Sequence, residues 1–268
     1  LLNFISRHAE AARGMAEREE DPHTRQNLLE IAAVNEALCL REPQTLREAL
    51  QSLAWFQSTD RMIMFGGAMG QLDELLRPYY EADTAAGRVD DEQAVWMIAS
   101  LFYNDTHYAQ IGGCAPDGRD LTSKVSFLIL EAAHLIQIPT NLAIRCHDNM
   151  DERLLDQALR NIISDSYGPS FSLSWGLDPG FCRNGFPLPL ARMRAKVGCN
   201  WTALPGIEYP HQDVKRLCLS KPLLLAPEEM MDSGEAPCLA RLEVLYIKYL
   251  KESVALAKDA IDWHMRYQ

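Results

Sequence analysis

The sequence predicts an α/β fold that is rich in helix. Three observations carry that prediction. Several long segments place apolar side chains at three- and four-residue spacing, one short segment alternates apolar and polar residues, and the two kinds are interleaved along one chain.

Asp21-Pro22 reads as an N-cap followed by proline at the first helical position. The carboxylate can accept a free N–H of the first turn, and proline lacks the N–H that would go unpaired there. This helix runs through Leu28, Leu29, Ile31, Ala32 and Leu38. Thr45 to Phe56 repeats the pattern, with Glu48 placed three residues on to complete a capping box. A glycine-rich stretch, Phe65 to Gly70, separates it from a helix over Leu72 to Ala82. Asp90 to Phe102 is another, with Val95, Ile98 and Ala99 on one face. Leu121 to Gln137 is apolar nearly all round (Val125, Leu128, Ile129, Ala132, Leu135), so heavy burial is expected.

From Thr140 to His147, Leu142, Ile144 and Cys146 alternate with Asn141, Ala143 and Arg145, which is a strand pattern. Asp151 to Asp165 returns to helix, with Leu154, Leu155, Ala158, Leu159, Ile162 and Ile163 on one side. Ser166 to Pro222 shows little helical period beyond Leu188 to Val197 and is dense in Gly, Pro and aromatics. Long ordered loops of that kind are where function tends to sit. Ala240 to Gln268 is helical again, through Leu242, Leu245, Tyr246, Tyr249, Leu250, Ala257 and Ile261. The opening on Leu1 and the lack of a stop signal at Gln268 lead us to expect a piece of something longer. No repeat or low-complexity linker marks a domain boundary, so residues 1–268 are read as one incomplete unit.

The 268 residues can bury roughly 70–75% of their unfolded surface. A composition of 47% hydrophobic and 24% charged residues excludes disordered and collagen-like classes. With 37 acidic against 26 basic side chains, net charge −11, there is no positive field to recruit nucleic acid or an anionic membrane. No apolar run reaches the roughly 18 residues that a membrane helix needs. The seven cysteines include no Cys-x-x-Cys pair, since the closest two, Cys182 and Cys199, are 17 residues apart. That argues against zinc and iron–sulfur sites and for a reducing, cytoplasmic setting, with most thiols buried as small hydrophobes.

The segment that carries the most chemical meaning is Lys196-Val197-Gly198-Cys199-Asn200-Trp201. Glycine before cysteine permits a tight turn that can present one sulfur at a loop tip. Nucleophilic use of that thiol would call for a base, for which His211 is the candidate. His147 reads as a satisfied polar residue at a strand end. Asp117-Gly118-Arg119-Asp120 reads as a turn with charged shoulders, because it lacks the alternating oxygen ligands of a cation loop. Phe65 to Gly70 lacks the Gly-Lys-Ser/Thr of a phosphate loop.

Taken in order, several segments resemble one family. They are Ala16-Glu17 through Asp21-Pro22, Leu28 to Ala32, Leu75 to Asp83, and Gly112-Gly113 with Asp117 to Ser123. They continue in Ser126 to Ala133, Pro139 with Arg145 and His147, Gly168-Pro169-Ser170-Phe171, and Gly198-Cys199. Their order is similar to the catalytic barrel of the pyruvate formate-lyase-like glycyl radical enzymes, from about Ala16 to about Gly206.

The resemblance implies a ten-stranded α/β barrel of which this chain is part, with a cysteine finger loop near 196–206. It implies that Cys199 is the catalytic, thiyl-forming residue, in a dry chamber walled by Trp175, Phe171 and Trp201. Substrate would meet Asn200, Trp201, Phe65, Gly66 and Phe171. The cofactor would be a protein glycyl radical installed by a radical-S-adenosylmethionine activase, with no bound metal. The partners would be that activating enzyme, a small-molecule substrate, and a C-terminal glycyl radical segment or second chain, because no Arg-Val-x-Gly-Tyr-like segment occurs here; a homodimer is left open. Two departures restrict the reaction. Trp201 stands where dehydratase-type members have Glu and cannot accept a proton, and Asn200 stands where pyruvate formate-lyase has a second Cys. Phe65, Gly66 and Gln71 also replace polar pocket groups, which favours an aromatic or less polar substrate at that wall. The expected activity is a lyase or decarboxylase that cleaves a C–C or C–heteroatom bond. The alternatives are a silent barrel that binds a metabolite or partner, and ordinary thiol nucleophilic catalysis.

Overall fold

A computed structural model describes the chain apart from residues 65–66, 200, 209–216, 235 and 268. It divides into two compact units, Leu1–Pro210 and His211–Gln268.

The first unit opens with helices α1 (Leu2–Ala16) and α2 (Pro22–Leu40) packed together. Asp21 caps α2 as expected, accepting the Thr24 N–H at 2.7 Å. In α3 (Leu46–Met64) only half of the expected capping box forms. Thr45 Oγ1 accepts the Glu48 N–H at 3.2 Å, but the Glu48 carboxylate turns to the Arg41 guanidinium at 2.7 and 2.8 Å. The same carboxylate also accepts the Gln44 N–H at 2.8 Å, so it is engaged ahead of the helix rather than at the Thr45 N–H. Helices α4 (Leu72–Ala85), α5 (Asp91–Asn104), α6 (Lys124–Leu135) and α7 (Glu152–Asp165) fall where periodicity places them. Burial wraps most of α6, although Leu135, expected inside, is exposed in its last turn.

Three parallel strands, β1 (Ala109–Gly112), β2 (Leu142–Cys146) and β3 (Ser170–Leu173), form a sheet in that order. Gln71 extends it by a parallel bridge to Gln110. Register sets Ile111, Ile144 and Phe171 in one row and Gln110, Ala143 and Ser170 in the next. Successive residues of a strand face opposite sides, so the two rows define the two faces of the sheet. The first face meets helices α3 to α7 in a single core that includes Leu72, Leu76, Ile98, Phe102, Leu128, Ile129, Ile144 and Leu154. Each such side chain contributes roughly 1.5–3 kcal/mol on burial. The alternating pattern read over Thr140 to His147 forms β2, and all five residues of the strand are buried. It is the central strand, and its polar face is covered as well, down to a fully buried Arg145.

Beyond the sheet come α8 (Ser174–Arg183), α9 (Leu188–Met193), and a short antiparallel pair, β4 (Ala195–Lys196) and β5 (Thr202–Ala203). The chain is therefore α/β and rich in helix, as expected. In the second unit, α10 (Ser220–Ser233) packs on α11 (Leu239–Tyr267) through Ala226, Met230 and Leu245. Glu229 accepts from Tyr249 at 2.6 Å and from Lys248 at 2.7 Å, which reinforces that contact. Among the described residues, no helix is long and apolar enough to cross a membrane.

Candidate active site

Cys199 lies in the loop that joins β4 to β5. The strands pair Ala195 with Ala203 and Lys196 with Thr202, and the loop is closed by the Val197 N–H donating to the Trp201 carbonyl at 3.0 Å. Three contacts lay this hairpin against the polar face of the sheet. The Lys196 N–H donates to Gln110 Oε1 at 2.9 Å, Lys196 Nζ donates to Ser170 Oγ at 2.9 Å, and the Tyr108 hydroxyl is 2.8 Å from Cys199 Sγ. Gln110 and Ser170 stand on β1 and β3 in one row, so Lys196 spans that row across Ala143 of β2. The small alanine leaves room for the stem.

Gln110 is itself held in orientation. Its amide donates to Gln71 Oε1 at 2.7 Å, and Gln71 donates to Asp73 Oδ1 at 2.8 Å and to the Gly112 carbonyl. Asp73 is fully buried at the start of α4, where it also accepts from Ser126 Oγ at 2.6 Å, the Gly112 N–H at 2.8 Å and the Glu74 N–H at 2.9 Å. Burial pushes its carboxyl up to about 6, against the pull of those donors. Burial also lowers Lys196 from its ordinary value, opposed by the nearby Cys199.

The base of the hairpin is fixed from β2. Arg145 donates to Ser174 Oγ at 2.8 Å, to Asp178 Oδ1 at 2.5 Å and to the Arg194 carbonyl at 3.3 Å. At Gly113, φ is +84° and a Cβ would lie 3.1 Å from Arg145 Cγ, so glycine there lets β1 turn past the arginine stem. Arg194 stacks 4.1 Å above the Phe181 ring and donates to Thr202 Oγ1 at 3.0 Å.

Among the expected site residues, Cys199 and Trp201 belong to this hairpin. Phe171 does not join them, because it packs on the helix-side core. Phe65, Gly66, Asn200 and His211 lie outside the described residues. The expected dry enclosure of the sulfur is not formed by the described residues. Cys199, Trp175 and Trp201 are exposed, and the Trp175 indole is turned to Asp148. Nor are most cysteines buried; only Cys114 and Cys146 are, the latter within the sheet. His147 is satisfied as expected, with Nε2 3.0 Å from Asp120 and Nδ1 accepting the Asn149 N–H at 3.3 Å. Asp117 accepts the Arg119 N–H within a turn. Sequence reading missed Tyr108 and Gln110, which lie 91 and 86 residues from their hairpin partners.

The fold is shared with a solved structure concerned with 1,2-propanediol dehydration in Roseburia inulinivorans. The TM-score is 0.83 at 24% identity, over 98% of this chain and 36% of that one. The chain belongs to the pyruvate formate-lyase-like family, whose model matches residues 1–239. It is 31% identical over 231 residues to trans-4-hydroxy-L-proline dehydratase of Clostridioides difficile, covering 75% of this chain and 29% of the relative. It is 27% identical over 231 residues to isethionate sulfite-lyase of Desulfovibrio desulfuricans, covering 77% of this chain and 28% of the relative. The chain thus spans less than a third of the curated relatives it matches.

Proposed function

We propose that this chain contributes the cysteine half of a glycyl radical lyase or decarboxylase, within a ten-stranded barrel of which its sheet is part. The observation that carries the reading is the placement of Cys199. It is a free thiol in a hairpin loop, pinned to the polar face of a parallel sheet by Gln110, Ser170 and Tyr108. A backbone glycyl radical supplies the one-electron oxidising equivalent that removes the hydrogen atom of Cys199.

The residues of this chain suit hydrogen-atom transfer. The Cys199 sulfur takes a hydrogen atom from a substrate C–H, so that C–H breaks as S–H forms, and returns it to the product radical. No proton leaves and no base is needed, which agrees with a sulfur whose polar neighbours are a phenol and an ammonium rather than a carboxylate. Tyr108 fixes where the sulfur points. Trp201, after the tip, offers an apolar wall and no proton acceptor, which favours cleavage of a C–C or C–heteroatom bond over base-assisted loss of water. In this reading Asn200, Phe65 and Gly66, which lie outside the described residues, are proposed to meet the substrate, and an activase of the radical-S-adenosylmethionine class installs the radical.

The test is anaerobic activation of the full-length protein, followed by electron paramagnetic resonance. A doublet signal that decays in air is expected, and Cys199→Ala should keep the signal and lose turnover. A Cys199→Ala protein that still turns over, or no radical after activation, overturns the proposal.

A further inference from the structure

Tyr108 stands one residue before β1, and main-chain bonds on either side fix it there. The Met69 N–H donates to the Tyr108 carbonyl at 2.8 Å, and the Gln110 N–H donates to the Gly70 carbonyl at 2.8 Å. The ring packs edge-on against His107, with centroids 5.2 Å apart. Its hydroxyl reaches Cys199 Sγ at 2.8 Å, while Gln110, two residues on, holds the Lys196 N–H of the same hairpin at 2.9 Å. One short stretch of chain thus positions both the phenol and the sulfur. Sulfur is larger than oxygen, yet their separation lies within the range of O–H···O bonds. Three other sulfur contacts of this chain are longer: Cys218 with Ser220 Oγ at 3.2 Å, Cys39 with the Leu2 carbonyl at 3.5 Å and Cys146 with the Ile144 carbonyl at 3.9 Å. Phenolic O–H and thiol S–H bonds are of nearly equal strength, so a contact this close is a path for a hydrogen atom in either direction.

Resting on the reading of Cys199 above, we infer that Tyr108 is a second catalytic residue, which exchanges a hydrogen atom with Cys199 during the radical reaction. When the sulfur is a thiyl radical, the Tyr108 O–H breaks as the Cys199 S–H forms, and the unpaired electron passes to the phenoxyl ring. The reverse step returns it to sulfur. The oxidising equivalent is the one that the glycyl radical supplies, and no net charge is created. The Lys196 ammonium is close enough to act on the same sulfur. An electron leaving the phenol without its proton would add a second positive charge nearby, which Coulomb repulsion opposes. Electron and proton therefore move together. A phenoxyl radical is too stable to take hydrogen from an aliphatic C–H, whereas a thiyl radical takes it. Tyr108 thus holds the radical in an unreactive form and hands it back to the sulfur that attacks substrate.

The test uses full-length protein, activated anaerobically, and needs no substrate. Site-specific incorporation puts 3-aminotyrosine in place of Tyr108, which keeps the ring and hydroxyl but weakens the O–H bond, making the residue a sink for the radical. Electron paramagnetic resonance should then show the glycyl doublet giving way to an aminotyrosyl signal. The same replacement of Tyr79, which packs against the helix-side core, should leave the doublet at full intensity. Adding Cys199→Ala to the protein with 3-aminotyrosine in place of Tyr108 should restore the doublet, because the radical reaches the ring through the sulfur. Tyr108→Phe, with no O–H, should keep the doublet in full. A Tyr108 hydroxyl that only orients the sulfur predicts an undiminished doublet in the 3-aminotyrosine protein, and that result overturns this inference alone. An aminotyrosyl signal that survives Cys199→Ala overturns the exchange and the reading of Cys199 together. The absence of any doublet in the activated parent protein also overturns both.

Discussion

The side-chain oxygen of Gln110 accepts the main-chain N–H of Lys196 at 2.9 Å, tying the cysteine hairpin to β1 across 86 residues of sequence. Gln110 is aimed by Gln71, and Gln71 by Asp73, so the hairpin's position traces back to a buried carboxylate at the start of α4. Gln110→Leu should raise the amide exchange rate of Lys196 about tenfold and lower turnover more than substrate affinity. Global stability should fall by about 1–3 kcal/mol, the cost of leaving buried partners unmet. Hydrogen exchange read by mass spectrometry checks this, and an unchanged Lys196 amide would refute the tie.

Tyr108 should set the reactivity of the sulfur. In an alkylation the attacking thiolate accepts a hydrogen bond from the Tyr108 phenol. Tyr108→Phe removes that bond and keeps the ring. A net hydrogen bond of about 0.5–1.5 kcal/mol corresponds to a rate roughly 2- to 12-fold slower with iodoacetamide. The rate for Cys182, which is exposed elsewhere, is the internal control.

Arg145 carries the heaviest structural load on the polar face. It is fully buried and joined to Asp178, Ser174 and the Arg194 carbonyl. Arg145→Ala strands the largely buried Asp178 carboxylate and should cost about 3–5 kcal/mol. Replacing both members of the pair, Arg145→Met with Asp178→Leu, should recover much of that loss. Urea unfolding midpoints of the two variants decide the matter, and equal losses would count against the pairing.

Asp73 predicts a pH dependence with an unusual sign. Its folded value near 6 lies above the ordinary 3.8, so between those values the folded chain binds a proton that the unfolded chain does not. This group's contribution to stability is therefore present in full below about pH 4 and falls by about 3 kcal/mol as pH rises through 6. Asp73→Asn does not titrate, so its deficit relative to the parent should be largest near pH 4 and shrink toward pH 7. Denaturation of both proteins at the two pH values tests the sign.

Local signals are legible in the sequence where they act over a few residues. The cap at Asp21, the helix start at Asp90, and the helices α4 to α7 follow from short-range hydrogen bonding and periodicity. The hairpin strands of only two residues carry no periodicity to read. Strand β3 and helix α8 are hidden in a stretch rich in Gly, Pro and aromatics, with Pro179 inside the helix itself. The Thr45 box is only half formed because Arg41 and the Gln44 N–H, both outside the motif, take the Glu48 carboxylate.

By itself the sequence determined that this chain makes a helix-rich α/β unit, and its ordered motifs pointed to Cys199 as the residue to watch. Only the tertiary structure decided which groups surround that sulfur. Tyr108, Gln110 and Ser170 reach it or its hairpin through the parallel sheet, whose register depends on how helices α3 to α7 pack beneath it. The same register turned Phe171 away from the cysteine. Alternation along a strand fixes which residues share a face, but which face meets the core is settled when the whole chain buries its apolar surface.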